Sequence, residues 1–163
     1  MPVTDLLLQL SEIAVAFAGF SGVVAALGRS IEWDEKARFR FQNLLVISVS
    51  AVFLALLPLA LSTFNIASER GWMISLCVMV VFALGFFVLR APIARRLTGV
   101  GDRVTFFTGL MFLIGLSTVV ALQVLGVAGV LARSAVYVAG IVVLLFLSAL
   151  QFAVLSLGAM GND

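Results

Sequence analysis

Glu12 is the residue with the most chemistry open to it, because it interrupts an otherwise charge-free apolar stretch, residues 6–28, LLLQLSEIAVAFAGFSGVVAALG. A carboxylate at membrane depth can attract a cation, exchange a proton or hydrogen-bond to a neighbouring helix. Near the midplane its charged form costs at least ~2.5 kcal/mol, so such a residue usually faces a cavity, a polar partner or a pore. Counted from the outer ends of the spans, Gln9, Ser62, Thr63 and Gln123 fall in the same half of the bilayer as Glu12. Pro58 falls there too. It has no N–H to give, so it frees the carbonyl of Leu54, predicting a kink and one extra acceptor. The expected site is a polar cluster of Glu12, Gln9, Ser62, Thr63 and Gln123 around that kink. Toward the other side Ser21, Ser48, Ser50, Thr108, Ser148 and Gln151 extend a thinly polar path. The competing reading makes Ser and Thr bond their own helices and Gln123 and Gln151 act as interhelical glue at ~0.6–2 kcal/mol each. It leaves Glu12 shallow enough to reach headgroup water, or protonated within the bundle.

Other chemistries are poorly supplied. The chain has no histidine and one cysteine, Cys77, in the middle of an apolar run, where it reads as a small packing residue. No Cys/His metal site can be assembled, and no disulfide can form within the chain. There is no intramembrane carboxylate pair and no Gly-x-Ser-x-Gly elbow, and a lone Ser without a base is no nucleophile. The Gly99-Val100-Gly101 stretch lacks the Gly-Lys-Ser/Thr ending of a phosphate loop. The expectation is a protein that is not an enzyme and that has no cofactor, no metal and no nucleic-acid partner.

The elements that must position these residues follow from the distribution of charge. The 163 residues are 63% hydrophobic and only 11% charged, with mean hydropathy +1.25. Soluble domains run nearer ~25% charged. The pI of about 9.3 comes from connector arginines and does not signal nucleic-acid binding. Residues 41–68, 71–89, 104–132 and 134–162 carry no charge at all. With the first segment they give five candidate spans, 5–28, 42–66, 71–90, 104–127 and 135–158, each near the ~20 residues needed to cross the hydrocarbon. Backbone groups must be satisfied internally in lipid and no barrel alternation is present, so the spans are helices. The fold class is all-α, a polytopic transmembrane bundle forming one domain over 1–163. Five spans are expected, with four plus an N-terminal interfacial segment as the alternative. A cleaved signal peptide is not expected, since no Lys or Arg precedes the run and Glu12 interrupts it.

Eight of the ten basic residues lie in alternate connectors, 29–41 and 90–103. The positive-inside rule places both loops and the C-terminus in the cytoplasm, in a bacterial-type inner membrane. Asp34 reads as an N-cap for a second helix beginning around Glu35, the third helix is expected to end near Pro92, and the fourth to restart at Asp102. Trp33, Trp72 and Tyr137 read as interfacial anchors, and the many phenylalanines as lipid-facing or packing residues, one of them a conceivable hydrophobic gate.

The first segment is expected to organise the rest. Ala14, Ala18, Gly22 and Ala26 recur every fourth residue and form a small-residue ridge, which permits the close helix contact on which association in lipid depends. Five helices with one acid enclose too little polar surface for a pore in one subunit. The leading expectation is therefore a homo-oligomeric ion channel or permeation protein, a ring of first helices meeting along that ridge and each offering Glu12. The rival is a non-transporting subunit or scaffold holding a membrane-protein partner through the ridge. A third is a proton-coupled carrier with Glu12 as the exchangeable site.

Overall fold

The computed structural model describes residues 2–27, 35–64, 68–96, 100–124 and 132–160. They form five helices: α1 (Val3–Leu27), α2 (Glu35–Thr63), α3 (Ser68–Arg96), α4 (Val100–Val124) and α5 (Arg133–Met160). Each is long and apolar enough to cross a membrane, and no strand occurs among the described residues. α1 is included. Its buried residues Leu7, Leu10, Ser11, Ala14 and Ser21 run along its length against the bundle, so it packs as a helix of the bundle.

Each helix presents a heptad-like seam. In α5 the buried positions include Tyr137, Ile141, Leu144, Ser148 and Gln151, which alternate four and three residues apart; in α2 they include Leu44, Ile47, Ala51 and Leu54. A 3.5-residue repeat keeps one seam facing a neighbour in the shallow crossing typical of transmembrane bundles. The opposite faces carry Phe53, Val81, Val88, Leu89, Phe107 and Met111, all exposed. So much outward apolar surface belongs in lipid, and the chain is a multi-pass membrane protein.

The hub is α5. It touches all four other helices, and α2 packs most extensively against it and against α1. The first helix, expected to organise the chain, instead lies at one edge, and among the described residues it meets only α2 and α5; α4 lies at the other, in contact with α3 and α5. Small residues let α5 take the central position. At Gly140 an added Cβ would stand 2.5 Å from the sulfur of Met79, so the bare backbone of α5 leaves the room that the Met79 side chain of α3 occupies. α3 and α5 run parallel, with their first turns joined by an ion pair of Arg133 Nη1 with Glu69 Oε2 at 2.6 Å. Being exposed, it contributes at most ~1 kcal/mol.

Several boundaries and placements differ from expectation. α2 starts at Glu35 as read, but α3 continues through Pro92 to Arg96 and α4 starts at Val100, before Asp102. Arg90 is therefore a helical residue and not a loop base. The charges misled the reading because a helix can extend beyond the hydrocarbon into headgroups and water. Cys77 is exposed on the bundle exterior and does not pack inside. Tyr137 is fully buried and is no interfacial anchor. Trp72 is half-buried, with its ring edge-on to Tyr137 at 5.9 Å. Trp33 and Asp34 lie outside the described residues, as does the side chain of Ala26.

Candidate functional site

The acceptor freed by Pro58 is used. α2 is continuous through Pro58, and the hydroxyl of Tyr137 donates to the carbonyl of Leu54. A proline in a buried helix leaves that carbonyl without its i+4 donor, and an orphaned carbonyl in an apolar interior costs several kcal/mol. The side chain supplying the missing donor comes from the hub helix, so Pro58 pins α2 to α5.

The polar cluster expected around Pro58 does not assemble within the chain. Gln9 and Glu12 are exposed on the outer face of α1. Ser62 and Thr63 are exposed and donate to Leu59 O and Ala60 O of their own helix, each at 2.6 Å. Gln123 is buried on α4, which touches neither α1 nor α2 among the described residues. The small-residue ridge is divided: Ala14 is buried against the bundle, Ala18 is half-buried and Gly22 is exposed. A second, fully outward stripe carries Glu12, Ala16, Gly19 and Val23. Gly19 and Gly22 have open space where a Cβ would project. Glu12 lies nine residues, about 14 Å, from the start of a helix about 37 Å long.

On the other side the expected path is partly joined. Ser48 Oγ donates to Ser148 Oγ at 3.3 Å between α2 and α5, and Ser148 Oγ donates to Leu144 O at 3.1 Å. Ser21 instead bonds Phe17 O at 2.8 Å, within its own helix. Ser50 and Thr108 are half-buried. Gln151 is buried at 6% exposure and lines a cavity.

That cavity is the feature the sequence reading missed. α2 and α4 do not pack directly, and the gap between them, walled by α3 and α5, leaves about 70 Å³ open to the centres of water molecules. One water centre needs ~10–15 Å³, so the space admits several waters or a small piece of ligand. Six phenylalanines face it: Phe39, Phe82, Phe86, Phe87, Phe106 and Phe112. Phe87 meets Phe106 edge-on at 5.6 Å, and lies so close over Gly109 that an added Cβ there would fall 2.6 Å from its ring. The polar lining residues are Asn43, Gln151 and Arg90. Arg90 holds its guanidinium 5.6 Å over the Phe39 ring and donates to Gln42 Oε1 at 3.4 Å. Asn43 is 5% exposed, and its Oδ1 has no hydrogen-bond partner among the described residues.

The signal was present as spacing. Phe39, Asn43 and Ile47 follow one another every fourth residue on α2, and Phe82, Phe86 and Arg90 do so on α3, so each row occupies one helix face. Two such rows opposed make an aromatic wall with its polar residues at one end. The orphaned oxygen of Asn43 has a measurable consequence. Asn43→Leu replaces an unmatched buried acceptor with an apolar side chain of similar size, which stabilises where the acceptor had no partner. We expect this variant to resist SDS unfolding in mixed micelles better than wild type, by about 1 kcal/mol. A loss of stability would mean that Asn43 is structural.

Among the described residues no three His, Cys, Asp or Glu side chains gather as metal ligands would. The chain matches no family model, no curated protein and no solved structure.

Proposed function

We propose that this multi-pass membrane protein works as a homo-oligomeric cation permeation protein, with Glu12 of each subunit facing a shared polar space. One observation carries the reading: Glu12 lies deep along α1, yet points away from the other four helices. A carboxylate so placed cannot rest against acyl chains without the cost of dehydration, and no described polar group in its own subunit takes it in. Neighbouring chains packed on the stripe Glu12, Ala16, Gly19 and Val23 would convert it into a ring of carboxylates, which attracts cations at a constriction. The stripe, rather than the Ala14–Ala18 ridge, carries the contact, because α1 already spends Ala14 on packing within its subunit.

In this reading the first connector, the end of α3 with Arg95 and Arg96, and the C-terminus face the cytoplasm, following the distribution of basic residues. A scaffold that docks a different membrane protein on the same stripe is the second reading, favoured by the same exposed glycines. Flux separates the two. In liposomes the wild-type protein should carry cations, and Glu12→Gln should reduce cation flux or cation-over-anion selectivity several-fold while the native mass of the assembly is unchanged. Equal flux in wild type and variant would remove Glu12 from permeation. No flux from wild type, together with a monomeric mass, would overturn the oligomeric reading itself.

A further inference from the structure

The cavity between α2 and α4 is separate from the α1 stripe, and its lining is ordered along its depth. Asn43, Gln151 and Arg90 lie at the end formed by the start of α2 and the late turns of α3 and α5. From Arg90 to Phe82 is eight residues, about 12 Å along α3, and over that distance the lining passes to Ile47, Ala83, Phe112 and Leu144. Its polar residues gather at one end, and the other end is apolar.

We infer that this cavity binds a single-chain amphiphile whose anionic head also carries a hydroxyl, the chemistry of a lysophosphatidate. Three observations specify that occupant. The Phe rings and the apolar end take an acyl chain and offer nothing polar to anything else. Arg90, which has no carboxylate partner among the described residues, presents a cation at the polar end, already oriented by the Phe39 ring and Gln42. A planar guanidinium in that position pairs with a carboxylate or phosphate through charge-assisted hydrogen bonds. Asn43, one turn further in than Phe39, contributes a buried acceptor in want of a donor, which an anion alone cannot supply and a hydroxyl can. Buried polar atoms without partners are rare in folded proteins, and one beside a cavity is a place where a water or a ligand hydroxyl can donate.

The test measures binding of 1-decanoyl lysophosphatidate to the full chain in phosphatidylcholine nanodiscs, with empty discs subtracted and decyl phosphate as the analogue without the hydroxyl. The expected result is saturable binding at one per chain, with decyl phosphate several-fold weaker. Arg90→Gln should weaken both ligands about tenfold. Asn43→Leu should erase the difference between them, and Ala83→Leu, which fills the apolar end, should weaken both. SDS unfolding of each variant verifies that it is folded. Uptake no greater than by empty discs, wild-type affinity in Arg90→Gln, or a hydroxyl preference that survives Asn43→Leu would each overturn the assignment. So would equal competition by phosphatidylglycerol in the disc, which would make the occupant a bilayer phospholipid.

Discussion

Tyr137→Phe should destabilise the protein by about 1–2 kcal/mol, and the loss should shrink to a few tenths when Pro58 is also replaced by Ala. The hydroxyl removed by the first change is the donor to Leu54 O, on a side chain with no exposure. Hydrogen bonds between membrane helices average only ~0.6 kcal/mol, because the alternatives to them are seldom empty. Here the alternative is empty. The backbone of residue 58 has no N–H, the residues around Leu54 are apolar and buried, and no water competes in the hydrocarbon. The value therefore belongs at the upper end of the range. In the Pro58→Ala background residue 58 regains its N–H, which bonds Leu54 O along the helix, and the tyrosine hydroxyl becomes redundant. The four proteins form a cycle, read by SDS unfolding in mixed micelles, whose coupling term isolates the contact. An equal cost of Tyr137→Phe in both backgrounds would show that the hydroxyl does not stand in for the missing amide. The consequence reaches beyond stability, since the bond ties the two best-packed helices, α2 and α5, at the level where Trp72 also closes over the tyrosine ring.

This pair also shows what the amino-acid order does and does not reveal. Helix number followed from charge-free runs, because only a helix satisfies its own backbone in lipid, and that constraint acts on every residue of the span. The free carbonyl of Leu54 was legible for the same local reason: proline chemistry does not depend on the rest of the fold. Which donor fills it was not legible, because Tyr137 is 83 residues away in the chain. A lone aromatic near the end of a span reads equally well as an anchor. Glu12 shows the complementary limit. Its place on α1 beside Ala16, Gly19 and Val23 follows from helical periodicity alone, but whether that face turns toward the bundle or away from it depends on which seam α2 takes. Leu7, Ser11, Ala14 and Ser21 took α2 and α5, leaving the acid outside. The aromatic cavity was least legible. Phenylalanines fill lipid-facing and interior positions alike, and only the opposition of two rows on different helices distinguishes a wall from a scattering.

Under the proposed function, Gly19→Leu should abolish assembly without harming the subunit. An added Cβ at Gly19 meets nothing within 4 Å, and the residue lies on the exposed face of α1, so a leucine there enters no packed region of its own chain. Its effect on SDS unfolding of the isolated subunit should fall within ~0.5 kcal/mol, and the exchange of glycine for a good helix former acts in the stabilising direction. Between subunits the outcome is reversed. Helices in lipid gain nothing from burying apolar surface, so their contact rests on close backbone approach across small residues, and four extra carbons at the crossing remove it. The native mass should fall from oligomer to monomer, and with it all cation flux attributed to a ring of Glu12 carboxylates. Gly85→Leu supplies the control. It is also an exposed helical glycine with open space at its Cβ, but it lies on α3, away from the α1 stripe, and it should leave both mass and flux unchanged. Were Gly19→Leu to assemble and conduct like wild type, the outward stripe of α1 would face lipid and would carry no contact between subunits.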